Sequence, residues 1–124
     1  MCVRNQRKLK SKKVIGYKVV QKKYGLTGPF YITQYTDDIV EDGSAPSHPS
    51  DNYRVEYDKT HLGYWSAYKH KEDAIGLICK TLDQVLLKVA FSGEIKSGVK
   101  RGRFFTKEKR CYLGRKIRII EEKK

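Results

Sequence analysis

Hydrophobic and polar residues alternate along several short segments of the chain, with the period of two that half-buried β-strands show. Between the first two of these segments, Gly25, Gly28 and Pro29 predict the turn of a hairpin. The uninterrupted hydrophobic run from Val85 to Phe91 predicts the central strand, and the Ser92–Glu94 segment predicts a turn before a short strand over 95–99. Alternation and enrichment in β-branched and aromatic residues predict the remaining strands at 14–22, 30–35, 53–57, 64–68 and 112–121.

A helical pattern is found over 71–81. Ala74, Ile75, Ile78 and Cys79 would line one face of this helix. These elements together predict an α+β fold: a single small domain over 14–124, with a curved, mostly antiparallel sheet and one main helix packed on it. Residues 1–13 have no apolar periodicity and predict a flexible basic arm.

The chain is strongly basic, and its charges are segregated. It carries 27 Lys and Arg against 14 Asp and Glu, a formal net charge of +13. Residues 1–24 and 96–124 hold most of the basic groups, whereas 25–95 is acidic on balance and includes the long loop over 37–52. The two basic ends would meet on one face if the first and last strands are neighbours in the sheet. This distribution favours binding to a polyanion.

Several classes of protein are disfavoured by what the sequence lacks. There is no apolar run of membrane-spanning length and no signal-peptide pattern, which predicts a cytoplasmic protein without a membrane partner. The three cysteines are widely spaced and the histidines complete no ligand set, so we expect reduced thiols and no metal. Without a nucleophile motif or a glycine-rich phosphate loop, the chain is not expected to be an enzyme, to have catalytic residues or to use a cofactor.

The residues best suited to function are arginines that lie close to aromatic residues. Guanidinium groups bind phosphates through two donors, and aromatic rings stack on bases. Trp65 is expected in the core, and Arg115 and Arg118, three positions apart on one strand, are expected on opposite faces. The candidate ligand-binding residues are Arg101, Arg103, Phe104, Arg110, Arg115, Arg118, Tyr64 and Tyr68. Solvated arginines with no ligand are the alternative interpretation.

The order of segments resembles a family of phage and prophage proteins. The similar segments are Gly16–Val20, Tyr53–Tyr57 followed by Gly63-Tyr64, Glu72-Asp73-Ala74, Val85–Gly93 and Gly114–Ile120. In this order they resemble the first described type of Thoeris anti-defence protein, a viral sponge for the cyclic ADP-ribose signals that bacterial TIR enzymes make. The acidic insert over 37–52 and the basic N-terminal segment depart from the family pattern.

The resemblance implies a protein that sequesters a cyclic ADP-ribose-type nucleotide messenger without cleaving it, and so blocks host immune signalling. It also implies a homo-oligomer built from dimers in the cytoplasm of the host cell, with Arg115 and Arg118 as the nearest equivalents of a phosphate-contacting arginine. The net charge supports an alternative, a basic nucleic-acid-binding module or a phage inhibitor of a host nucleic-acid enzyme.

Overall fold

In the computed structural model of this protein, one antiparallel sheet accounts for most of the described residues. These residues are 4–10, 12–33, 39–44, 64–76, 78, 83–101 and 108–123. Within them the chain forms seven strands and one short helix. In order they are β1 (Arg4–Lys8), β2 (Lys13–Gly25), β3 (Gly28–Ile32), β4 (Gly43–Ser44), β5 (Trp65–Tyr68), α1 (Lys71–Ile75), β6 (Gln84–Arg101) and β7 (Glu108–Lys123).

The longest structural unit is the antiparallel pair of β6 and β7, which runs from Leu86 opposite Lys123 to Arg101 opposite Glu108. The sequence predicted a turn at Ser92–Glu94, and this prediction is wrong. β6 continues through that point as a β-bulge, with Gly93 at a φ of 77°. Glycine adopts this left-handed conformation without strain, so the strand bends there instead of ending.

Four strands close into a hydrogen-bonded ring. β6 pairs with β2 and with β7, and β5 pairs with β7 and, at Tyr17 opposite Tyr68, with β2. The Lys18 ammonium strengthens this last junction by donating to the Ser66 carbonyl oxygen at 2.8 Å. The ring surrounds the main hydrophobic core, to which each of its strands contributes; its buried residues are Val20, Val40, Trp65, Ala67, Leu87, Val89, Phe91, Ile95 and Ile117.

The predicted sheet is confirmed, whereas the helix is much shorter than the pattern indicated. α1 spans the five residues Lys71–Ile75 and is followed by Gly76, a residue with low helix propensity. Ala74 is buried, but Ile75 is 45% exposed, so the two do not share an apolar face. Cys79 lies outside the described residues. The fold is therefore a small, strongly curved antiparallel sheet with one short helix, which agrees only in part with the predicted α+β fold and its main helix.

The prediction of a flexible basic arm over 1–13 is wrong for residues 4–8. These residues form β1, which pairs with β6 from Arg4 opposite Val99 to Lys8 opposite Lys96. β1 and β2 thus lie end to end along one edge of β6. The polar sequence of β1 has low strand propensity, and these residues form a strand because the edge of β6 offers backbone hydrogen bonds to them.

The predicted hairpin at 14–35 is confirmed by β2 and β3, and the predicted strands at 64–68 and 112–121 correspond to β5 and β7. Trp65 lies in the core, as expected. The predicted strand at 53–57 lies outside the described residues. Two described residues of the predicted long loop contact the sheet. Val40 lies in the core, and the Asp42 carboxylate accepts a hydrogen bond from the Ile119 backbone N–H at 2.7 Å.

In the part of the chain that the structure describes, no helix has both the length and the apolar character needed to cross a membrane.

Candidate functional site

Four neighbouring strands build a surface on which two tyrosines are surrounded by basic side chains. β5, β7, β6 and β1 lie side by side, with Ser66 opposite Leu113, Leu113 opposite Lys96, and Lys96 opposite Lys8. Side chains alternate between the two faces of a strand, so Tyr64 and Tyr68 lie on one side of β5 and the core residue Trp65 on the other. We call this surface the tyrosine face; it comprises Tyr64, Tyr68, Glu94, Lys96, Lys100, Lys109, Arg115 and Lys8.

Each tyrosine ring has two cations over it. The Lys96 ammonium lies 4.6 Å from the centre of the Tyr64 ring, and the Arg115 guanidinium carbon lies 4.7 Å from it. The ammonium groups of Lys100 and Lys109 lie 5.5 and 6.0 Å from the centre of the Tyr68 ring. These distances fall within the range of cation–π attraction, which holds the basic groups beside the aromatic surfaces.

Both rings rest on a small apolar cluster. The buried Cys111 and Leu113 on β7 pack against the half-buried Tyr64 and Tyr68. Burial raises the pKa of the Cys111 thiol, which is free and fully enclosed. A thiol in this environment is a poor nucleophile, so Cys111 supports the tyrosines and is not a reactive group.

Glu94 is the acidic member of the tyrosine face. Its carboxylate accepts a hydrogen bond from Arg115 Nε at 3.0 Å and another from the Tyr64 hydroxyl, and Lys8 Nζ lies 3.6 Å away. These hydrogen bonds, Arg115 first, and the nearby Lys8 charge lower the pKa of Glu94. Lys8 and Arg115 come from the two basic ends of the chain, and both ends therefore meet on this face.

The tyrosine face offers groups that bind anions and aromatic bases. Five cations and one carboxylate leave it strongly positive, while the two rings offer flat apolar surfaces. Phosphates pair with such cations, and bases stack on such rings. Among the described residues no group of His, Cys, Asp and Glu could hold a metal ion.

A second polar cluster connects β2, β3 and β7. Glu122 accepts a hydrogen bond from the Tyr31 hydroxyl at 2.7 Å, and Lys22 Nζ lies 3.1 Å from both of its carboxylate oxygens. Burial, and then the hydrogen bond to Glu122 and its charge, raise the pKa of Tyr31 to about 12. The three partners satisfy one another, which indicates a structural role.

The structure brings together three of the candidate binding residues, Tyr64, Tyr68 and Arg115. Arg110 and Arg118 are exposed on β7 but contribute none of the cations over the two rings. Arg103 and Phe104 lie outside the described residues, as does the side chain of Arg101, whose backbone ends β6.

The sequence analysis missed the lysines. Lys96 and Lys100 lie on β6 at an even spacing, which places both side chains on the same face of the strand, and Lys109 lies on β7. The even spacing of lysines within a strand was the signal available in the sequence. Lys100 was missed because the predicted strand ended at Val99, and Lys109 because the last predicted strand began at Tyr112. Lys8 was missed because it was assigned to the arm.

Comparisons with protein-family models, with curated proteins and with solved structures found no match to this chain. The resemblance to the Thoeris anti-defence family, which rests on the order of segments, therefore stays a prediction. The contacts of the tyrosine face are the observations from which a function can be proposed.

Proposed function

We propose that the tyrosine face binds single-stranded nucleic acid and leaves it chemically unchanged. The observation that supports this function is the pair of tyrosines, each flanked by two cations within about 6 Å of the ring centre. Proteins that bind single strands without sequence preference combine stacking aromatic residues with a basic surface that follows the phosphates. An open sheet surface gives an unpaired strand access to both.

The spacing of the tyrosines favours an oligomer over a single nucleotide. Tyr64 and Tyr68 are four residues apart along an extended segment, which corresponds to about 13 Å. A stacked strand advances about 3.4 Å per nucleotide, so bases on the two rings would be about four nucleotides apart, or closer in sequence if the strand is extended. A mononucleotide can engage only one ring.

The test is fluorescence anisotropy with labelled oligothymidylates of about two, four, eight and twelve nucleotides. Affinity should rise steeply up to about four nucleotides, where both rings become engaged, and more gradually beyond. If all five cations contact phosphates, the logarithm of the binding constant should fall with the logarithm of salt concentration with a slope of about −3.5. Affinity that does not depend on length, or a slope near zero, would contradict the proposal.

Variants of the tyrosines separate stacking from charge. Tyr68→Leu keeps apolar packing on Cys111 but removes the aromatic ring, and we expect binding to weaken about fivefold or more, corresponding to about 1–3 kcal/mol per stacked base. Tyr68→Phe should bind like the wild type. The matched control is Tyr24→Leu, because Tyr24 is 76% exposed and lies about 23 Å along β2 from Tyr17, the partner of Tyr68. Equal loss in both leucine variants would mean that the tyrosine face is not the site.

A second candidate function is the sequestration of a nucleotide messenger, as the resemblance implies. The specific observation in its favour is the Tyr64 ring with an arginine and a lysine beside it, a group large enough for one base and its phosphates. This function predicts that cyclic ADP-ribose isomers raise the melting temperature at high salt, that they are recovered intact, and that Arg115→Ala removes the effect.

The same resemblance extends the proposal to a homo-oligomer that acts in the cytoplasm, for which light scattering with and without ligand is the measurement. Inhibition of a host enzyme through its acidic surface is the remaining alternative. This alternative predicts that a host protein is captured in a pull-down with this chain and is still captured after nuclease treatment.

A further inference from the structure

We propose that Glu94 is an internal anion that occupies a phosphate site on the tyrosine face, and that a nucleic-acid phosphate displaces its carboxylate. This inference rests on the proposed function and adds to it the group that limits affinity. The site comprises Arg115 from β7, Lys8 from β1 and the Tyr64 hydroxyl beside β5, and all three donors converge on one carboxylate of β6.

The donors that hold Glu94 are those that bind phosphate. Guanidinium, ammonium and hydroxyl groups form charge-assisted hydrogen bonds with carboxylates and phosphates alike. Here they come from three separate chain segments, and the Arg115 guanidinium also lies 4.7 Å from the centre of the Tyr64 ring. A phosphate in place of the Glu94 carboxylate would thus lie beside an aromatic ring on which the attached base can stack.

A β-bulge directs Glu94 to this position. In the β6–β7 pair, Ser92 is opposite Lys116 and Ile95 is opposite Gly114, so that Gly93 and Glu94 together face the single residue Arg115. Gly93 adopts the left-handed conformation typical of the first residue in a glycine bulge. Bulges of this type redirect the adjacent side chain, and this one brings the Glu94 carboxylate to Arg115.

The contacts of Glu94 can be exchanged at low cost. The side chains of Arg115 and Lys8 are 53% and 75% exposed, and that of Glu94 is 34% exposed. Exposed ion pairs contribute little to stability because water screens them. Glu94 therefore opposes an incoming phosphate both by occupying its donors and by charge repulsion, without being needed to hold the fold together.

The experiment compares Glu94→Gln with Glu121→Gln in the anisotropy assay. Both variants remove one negative charge, but Glu121 pairs with Lys123 and does not contact the tyrosine face. We expect Glu94→Gln to bind an oligothymidylate of about eight nucleotides about three to ten times more tightly than the wild type, and Glu121→Gln to change binding less than about twofold. The salt slope of Glu94→Gln should approach the value of about −3.5 that five free cations give, and the slope of the wild type should be about 0.7 shallower, because Glu94 neutralises one of these cations.

The outcomes separate this inference from the proposed function. If the wild type binds and Glu94→Gln binds equally or more weakly, Glu94 merely positions Arg115 and the inference is overturned. Equal tightening in both variants would also overturn it, since net charge alone would explain the gain. If neither the wild type nor a variant binds any oligonucleotide, the proposed function itself fails. Equal melting temperatures of the two variants would exclude a difference in folding as the cause.

Discussion

Gly114 on β7 packs closely against the Phe91 side chain, and Gly114→Ala tests this packing directly. A Cβ atom at this position would lie 2.6 Å from both Cβ and Cγ of Phe91 and 2.7 Å from its Cδ1. Carbon atoms in favourable contact are about 3.5–4.0 Å apart, so the overlap is about 1 Å. Phe91 is fully buried in the ring of strands, so its ring is held on all sides by neighbouring residues and not by solvent.

The cost of this overlap follows from the rigidity of its surroundings. Extra methyl groups in a well-packed core destabilise by about 1–3 kcal/mol, and occasionally more. In a domain of this size 1 kcal/mol corresponds to about 4 °C, so we expect the melting temperature of Gly114→Ala to fall by about 4–12 °C. Thermal and urea denaturation, followed by circular dichroism, measure the effect.

Two further variants make the test specific. Gly76→Ala adds the same methyl group at a position where φ is −61° and the nearest atom is the Glu72 carbonyl oxygen at 3.7 Å, so its stability should be unchanged or slightly higher. Phe91→Leu should partly relieve the overlap, so that the Phe91→Leu and Gly114→Ala double variant loses less than the sum of the single losses. A melting temperature of Gly114→Ala within about 2 °C of the wild type, or strict additivity with Phe91→Leu, would refute the packing described here.

Three other predictions follow from individual groups. Because the folded state raises the pKa of Tyr31 to about 12 from the ordinary value of 10.0, its contribution to stability is fully present below pH 10 and is lost as the pH rises towards 12. The free energy of unfolding, measured by urea denaturation, should therefore fall more between pH 9 and pH 11 in the wild type than in Tyr31→Phe. The variant lacks the hydroxyl that donates to Glu122. Cys111 should resist alkylation in the native protein and react once urea unfolds it, as peptide mapping by mass spectrometry would show; rapid native labelling would mean that the tyrosine face opens readily. Asp42→Ala should lower stability by about 0.5–1 kcal/mol, because it removes the acceptor of the Ile119 N–H at an exposed position, and a urea midpoint equal to that of the wild type would contradict this role.

The arrangement of side chains on the tyrosine face depends on strand pairing more than on any single motif. Lys8 and Arg115 are more than a hundred residues apart in sequence, yet both lie beside Glu94 because β1 and β7 flank the same strand. Tyr64 reaches this group because β5 pairs with the other edge of β7. Binding residues on such a surface come from rigid strands, which keeps their mutual distances constant.

The sequence by itself determined the local structure where hydrophobic pattern and turn chemistry agree. The hairpin of β2 and β3 follows from alternation around Gly25 and Gly28, and the β-branched run from Val85 to Phe91 is long and apolar enough to be buried as a strand. Trp65 was predicted in the core because aromatic residues in strands are usually buried or paired across strands. The basic net charge, which attracts polyanions in general, is also a property of the sequence alone.

Only the tertiary structure decided which residues meet. Residues 4–8 have the composition of a solvated arm, and they form a strand because the edge of β6 is available to them. Gly93 was consistent with a turn or with a bulge, and the continuous pairing of β6 with β7 selects the bulge. The helix ends before Gly76 because the one buried residue of the helix, Ala74, gives too little packing on the sheet to offset the low helix propensity of that glycine. The group around Glu94 joins residues from four segments, and local preferences cannot specify contacts between segments so far apart in the chain.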